Sequence, residues 1–80
     1  MKEKILNILS EIRPEFDFSY SSNFIEDGLL DSFDLMSLVS TLDEQLGISI
    51  EGVEIIPENF ENLDSINTLV LSHVNKKGSL

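Results

Sequence analysis

Asp31-Ser32-Phe33-Asp34-Leu35-Met36-Ser37-Leu38-Val39-Ser40-Thr41-Leu42-Asp43-Glu44-Gln45-Leu46-Gly47 is the stretch that decides how this chain folds. Leu35, Leu38, Val39, Leu42 and Leu46 cluster on one side of a helix at ~100° per residue. The helix starts at Ser32 or Phe33, where Asp31 or Ser32 can cap it. It ends at Leu46, with Gly47 placed as the left-handed residue that follows. Upstream, Asp27-Gly28-Leu29-Leu30 reads as a turn punctuated by Gly28. Opposite the aliphatic stripe lie Phe33, Met36, Ser37, Ser40 and Glu44, with Asp43 at the flank. Two sizeable apolar residues therefore fall on the outward face beside Ser32, with acids further along. That is the pattern of a docking surface with an adaptable centre and a charged rim.

The flanking segments extend the helical pattern. Ile5, Ile8, Leu9 and Ile12 define one face of a first helix, which Pro14 ends by pushing the residue before it out of the α region. Glu15 to Leu30 show no clean period, so a long loop is expected, with Phe16, Phe18, Tyr20, Phe24 and Ile25 packing back onto the helices. A loop of that length in a small domain usually has a role. Ile48 to Ile56 alternates partly, yet no second strand is available to pair with it, so it reads as loop with a helical turn. Pro57-Glu58-Asn59-Phe60 suits a short helix with proline at its first position. Asp64 or Ser65 is expected to cap a last helix with Ile66, Leu69, Val70, His73 and Val74 inward. Lys76-Lys77-Gly78 would close it with cations at the negative pole. The expected fold is all-α, a small bundle of three main helices plus one short helix, with the long loop between helices one and two.

Composition narrows the function classes. Eighty residues make a single domain, 1–80, without room for a second core. There is no cysteine, so neither a disulfide nor a thiolate site supports the fold, and any thiol chemistry has to come from an added group. No apolar stretch approaches a membrane span and the N-terminal residues lack a signal-peptide core, so a cytoplasmic protein is expected. Fifteen acids against five bases give a net charge of −10. Such a surface repels nucleic acid and attracts basic protein surfaces. A monomer is expected.

Ser32 is the candidate site. A serine beside an aspartate at a helix start often serves only as a cap. It also stands at the tip of a rigid element, close to the free N–H groups and positive pole of the first turn, where a phosphodiester can be accepted. Gly28-Leu29-Leu30-Asp31-Ser32-Phe33-Asp34-Leu35, followed by an amphipathic helix, resembles the phosphopantetheine attachment segment of acyl and peptidyl carrier proteins. The resemblance covers nearly the whole chain: its length, its acidity, the long first loop and Ile56-Pro57-Glu58-Asn59-Phe60 before the last helix all fit.

The resemblance implies 4′-phosphopantetheine, taken from coenzyme A by a phosphopantetheinyl transferase and attached to Ser32. It implies an acyl or aminoacyl group held on that arm as a thioester, in lipid or secondary-metabolite biosynthesis. It assigns partner recognition to Asp31, Phe33, Asp34, Met36, Asp43 and Glu44. The match departs at Ser37, where many fatty-acid carriers have an acid, and at Ser40, where they often have an apolar residue. Asn62-Leu63-Asp64 stands where a Thr-Val pair is frequent. Pro57-Glu58-Asn59-Phe60 looks closer to free-standing carriers that work with an adenylate-forming acyl or aminoacyl ligase, D-alanyl carriers among them.

Other chemistry finds no support. His73 is a single histidine on an inward stripe, and no partner makes a transition-metal site. Asp27, Asp31 and Asp34 lack the spacing of a calcium loop, so no metal is expected. No catalytic triad, phosphate loop or carboxylate pair can be argued, so the chain is not expected to be an enzyme. The rival reading comes from another class: a small acidic adaptor with an unmodified Ser32 that binds a basic partner through helix two.

Overall fold

The computed structural model describes residues 1–20 and 22–78, without the side chains of Tyr20 and residues 76–78. The expectations for the Tyr20 ring and for the Lys76 and Lys77 cations lie outside the described residues. Three α-helices carry the fold: α1 over Lys2–Ile12, α2 over Ser32–Leu46 and α3 over Leu63–Gly78. Short 3-10 turns lie at Phe18–Tyr20, Gly52–Glu54 and Pro57–Asn59, and no strand occurs among the described residues. The protein is all-α. The short element expected at Pro57 is present as a single 3-10 turn, and the expected helical turn within residues 48–56 is the one at Gly52–Glu54. No described helix is long and apolar enough to cross a membrane.

Each helix buries the stripe its sequence presents. Ile5, Ile8 and Leu9 of α1 are buried and Ile12 packs against them; Leu35, Leu38, Val39 and Leu42 of α2 and Ile66, Leu69 and Val70 of α3 complete the helical share. A fully buried Leu38 or Leu42 contributes roughly 2 kcal/mol through removal of its side chain from water. α1 stops at Arg13, whose φ of −133° and ψ of 77° leave the helical region before Pro14, although its N–H still donates to the Leu9 carbonyl. α2 stops at Gly47, whose φ of 64° is the left-handed conformation a side chain would strain.

The segments between helices supply a large share of the core. Phe18, Phe24, Leu30, Ile50 and Phe60 are buried as deeply as the helical residues. The Phe18 and Phe24 rings meet edge to face with centroids 5.1 Å apart. Phe18, Phe24 and Leu30 thus pack the described parts of the long first connection onto the helices, as its dispersed aromatics suggest.

One expected cap is wrong. Neither Asp64 nor Ser65 caps α3. Asn62 does so, its Oδ1 accepting the Ser65 N–H at 2.8 Å while its carbonyl accepts the Ile66 N–H at 3.1 Å. A cap side chain receives the N–H two or three residues further on, and Asn62 meets that condition for Ser65. Asp64, released from capping, pairs with Lys2. This pair brings the start of α1 to the start of α3. At the other end of α1, Arg13 Nε lies 3.5 Å from Asp34 Oδ2 in the first turn of α2. Ser32 thus sits at the end of the molecule where α1 terminates.

Candidate functional site

The turn that delivers Ser32 is held by the Asn23 side chain and by backbone hydrogen bonds. Asn23 Oδ1 accepts the N–H groups of Ile25 and Glu26 at 3.1 and 3.0 Å. The Phe24 carbonyl accepts those of Leu29 and Leu30 at 2.8 and 3.1 Å, and the Phe24 N–H donates to the Glu61 carbonyl. Gly28 turns the chain with φ 78°, a value that favours glycine. Phe24 and Leu30 are buried at the two ends of this turn, so residues 24–30 are fastened to the core on both sides of the exposed tip.

Asp31 then caps α2 in a reciprocal box. Its Oδ1 accepts the Asp34 N–H at 2.9 Å, and Asp34 Oδ2 accepts the Asp31 N–H at 3.1 Å. The Asp34 N–H holds the Asp31 carboxyl below its ordinary range. The Phe33 N–H and the Arg13 charge act in the same direction, against desolvation. The Asp34 N–H is therefore already engaged by Asp31. A phosphate on Ser32 would meet the helix dipole but not the Asp34 donor, and the expectation of free N–H groups beside it is corrected to that extent. The Ser32 hydroxyl takes no part in the box and is exposed.

The remaining predicted residues divide into two sets. Phe33 and Met36 are 83% and 58% exposed, and Glu44 faces solvent. Asp34 and Asp43 are half-buried and engaged within the fold. Asp43 Oδ1 accepts the Ile50 N–H at 2.9 Å, and its carbonyl accepts the N–H groups of Gly47 and Ile48. It fastens the segment after α2 onto the helix that precedes it. Asp43 lies half-buried at the flank of the outward face, as its spacing suggests, and one oxygen of its acid is turned inward to Ile50.

Three features lay outside the sequence reading. Arg13 reaches the first turn of α2, and its sequence signal is that no other Lys or Arg lies between Lys4 and Lys76. Glu54 Oε2 lies 2.8 Å from His73 Nε2 and also accepts the Glu51 N–H at 2.9 Å, tying the 3-10 turn to α3. His73, on the inward stripe of the last helix by its spacing, is half-buried. Val53 and Ile56 are 80% and 41% exposed and add apolar surface on the segment before α3. Among the described residues, no group of three or more His, Asp or Glu side chains could hold a metal ion. Comparison of the chain with protein-family models, curated proteins and solved structures finds no match in any of the three.

Proposed function

We propose that this chain is a carrier domain that holds an acyl or aminoacyl group as a thioester on 4′-phosphopantetheine attached to Ser32. The observation that carries the reading is an exposed serine hydroxyl at the first position of α2. It lies immediately after a closed Asp31–Asp34 box and beside two exposed apolar side chains, Phe33 and Met36. A serine needed for capping would be engaged in the box; here aspartates do that work and leave the hydroxyl available. The residues fit the group, because an arm leaving Ser32 points to solvent from a turn anchored at Phe24 and Leu30.

When bound, the arm supplies the thiol that a cysteine-free chain lacks. The protein supplies position and address. Ser32 holds the arm at the end of a rigid helix, Phe33 and Met36 offer a docking centre, and the acidic surface attracts basic partner surfaces. The partners on this reading are a phosphopantetheinyl transferase and an adenylate-forming ligase or another acyl-transfer enzyme, and the chain itself performs no catalysis.

The test is intact mass after incubation with coenzyme A and a broad-specificity phosphopantetheinyl transferase. The wild-type chain gains one phosphopantetheine, and Ser32→Ala gains none. An unchanged wild-type mass would leave the acidic adaptor as the better reading. Modification that persists in Ser32→Ala would move the site to another serine.

A further inference from the structure

Arg13 stands apart from the other basic residues. Lys2 and Lys4 precede it in α1, and the next Lys or Arg is Lys76. Its Nε is buried without a well-formed hydrogen bond, and Asp34 Oδ2 lies 3.5 Å away, an ion-pair distance. Its guanidinium carbon lies 5.2 Å from the centre of the Phe16 ring, and its Nη1 lies 3.7 Å from Glu15 Oε2. The ring face and two carboxylates thus hold the guanidinium at the junction of α1 and α2.

The Asp34 side chain is 13% exposed, and a carboxylate so placed is costly without a counter-charge. Without Arg13 it would turn toward water and release the Asp31 N–H that it accepts. The contacts run from Arg13 to Asp34 and from Asp34 to the Leu30–Asp31 peptide, one residue before Ser32. A phosphodiester on Ser32 would also add a negative charge beside these two aspartates, and Arg13 is the cation at hand to offset it.

We infer that Arg13 is a positioning residue for Ser32, clamping the Asp34 carboxylate into the capping box and so fixing the direction in which the serine hydroxyl leaves α2. This rests on the reading of Ser32 as the attachment serine. The residue touches neither the arm nor the transferred group, and acts through Asp34.

The test compares wild type, Arg13→Gln, Arg13→Lys, Asp34→Asn and the double variant Arg13→Gln with Asp34→Asn. Each is assayed with coenzyme A and a broad-specificity phosphopantetheinyl transferase, kcat and KM being read separately. Amide exchange is followed at Asp31, Leu38 and Leu42. Arg13→Gln is expected to lower kcat by up to about a hundredfold, the order of loss a misplaced reacting atom can produce, with KM nearly unchanged. The Asp31 amide should exchange faster while those of Leu38 and Leu42 do not. Arg13→Lys should restore part of the kcat. In the Asp34→Asn background the new amide oxygen can still accept the Asp31 N–H and carries no charge to hold, so Arg13→Gln should then change little.

A merely structural role would give a different pattern. Loss of folded carrier raises KM and speeds exchange at Leu38 and Leu42 as well, and that result overturns the inference. An equal loss of kcat with and without the Asp34 charge overturns it too. If the wild-type chain accepts no arm, the carrier reading falls, and exchange at Asp31 alone decides whether Arg13 holds the box.

Discussion

Asp31 shows how much one side chain does at the start of α2. Its carboxylate accepts the Asp34 N–H and so removes one of the unsatisfied donors that every helix N-terminus carries. Folding holds its carboxyl below the ordinary range, chiefly through that bond. The sign follows from linkage. A depressed pKa contributes stability that is complete above the unfolded value, about pH 4, and is lost as pH falls through the lower folded value. Asp17 contributes in the same direction, because the Ser19 hydroxyl and N–H donate to it. Unfolding free energy measured from about pH 4 downward should therefore fall with acid, and less steeply in Asp31→Asn than in wild type. The Asp17 share stays in both, so the difference isolates the cap. Parallel curves would mean that the Asp31 charge is as well solvated unfolded as folded.

At the scale of the element, α2 has three kinds of position, and substitutions should sort them. Leu42 is fully buried, so Leu42→Ala should cost ~2–5 kcal/mol. Met36 and Glu44 are exposed, so Met36→Ala and Glu44→Lys should stay within about 0.5 kcal/mol of wild type. Asp43→Lys should cost about 1–2 kcal/mol, because it strands the Ile50 N–H. Denaturant unfolding of the four variants gives this order directly. A Met36→Ala loss as large as that of Leu42→Ala would mean that Met36 packs and does not dock. The same element shows what a sequence can tell. The aliphatic spacing gave the buried face of α2, and Gly47 gave its end, because both depend on residues near in the chain. The bond of Asp43 to Ile50 was illegible because an angular projection sees only the helix, whereas the chain turns back through Ile48 to Ile50 and presents an N–H to it. Arg13 with Asp34, and Glu54 with His73, were illegible for the same reason: each pair joins elements whose approach is decided by packing. The change of cap from Asp64 or Ser65 to Asn62 is a smaller error of the same family, since the adjacent candidates Asn62, Asp64 and Ser65 are all competent caps and only the entry angle of the chain chooses among them.

For the whole molecule, the opposing terms are a small core and a large charge. The radius of gyration is 11.9 Å, close to the ~12 Å expected of a folded chain of this length, so the charges are held close together. All but Glu3 and Glu11 of the fifteen acids lie between Arg13 and Lys76, where no Lys or Arg occurs. An open cleft of about 560 Å³ beside α3 is rimmed by Glu54, Glu58 and Asp64, so like charges also gather locally. The exposed pair of Lys2 with Asp64 offsets little of this, since surface pairs are worth ~0–1 kcal/mol. Self-repulsion of this kind weakens the compact state, because unfolding moves the charges apart. Salt screens it over ~10 Å at 0.1 M, so the melting temperature should rise with added salt and most of the gain should be present by then. A gain of ~1 kcal/mol would appear as about 4–8 °C in a domain of this size. Glu58→Lys supplies the control, since it removes one acid from the cleft and places a cation among the others. It should raise melting in low salt and make the salt response shallower. If wild-type melting is flat or falls with salt, the acids are already far enough apart to ignore one another, and the charge then acts only on encounter with a basic partner.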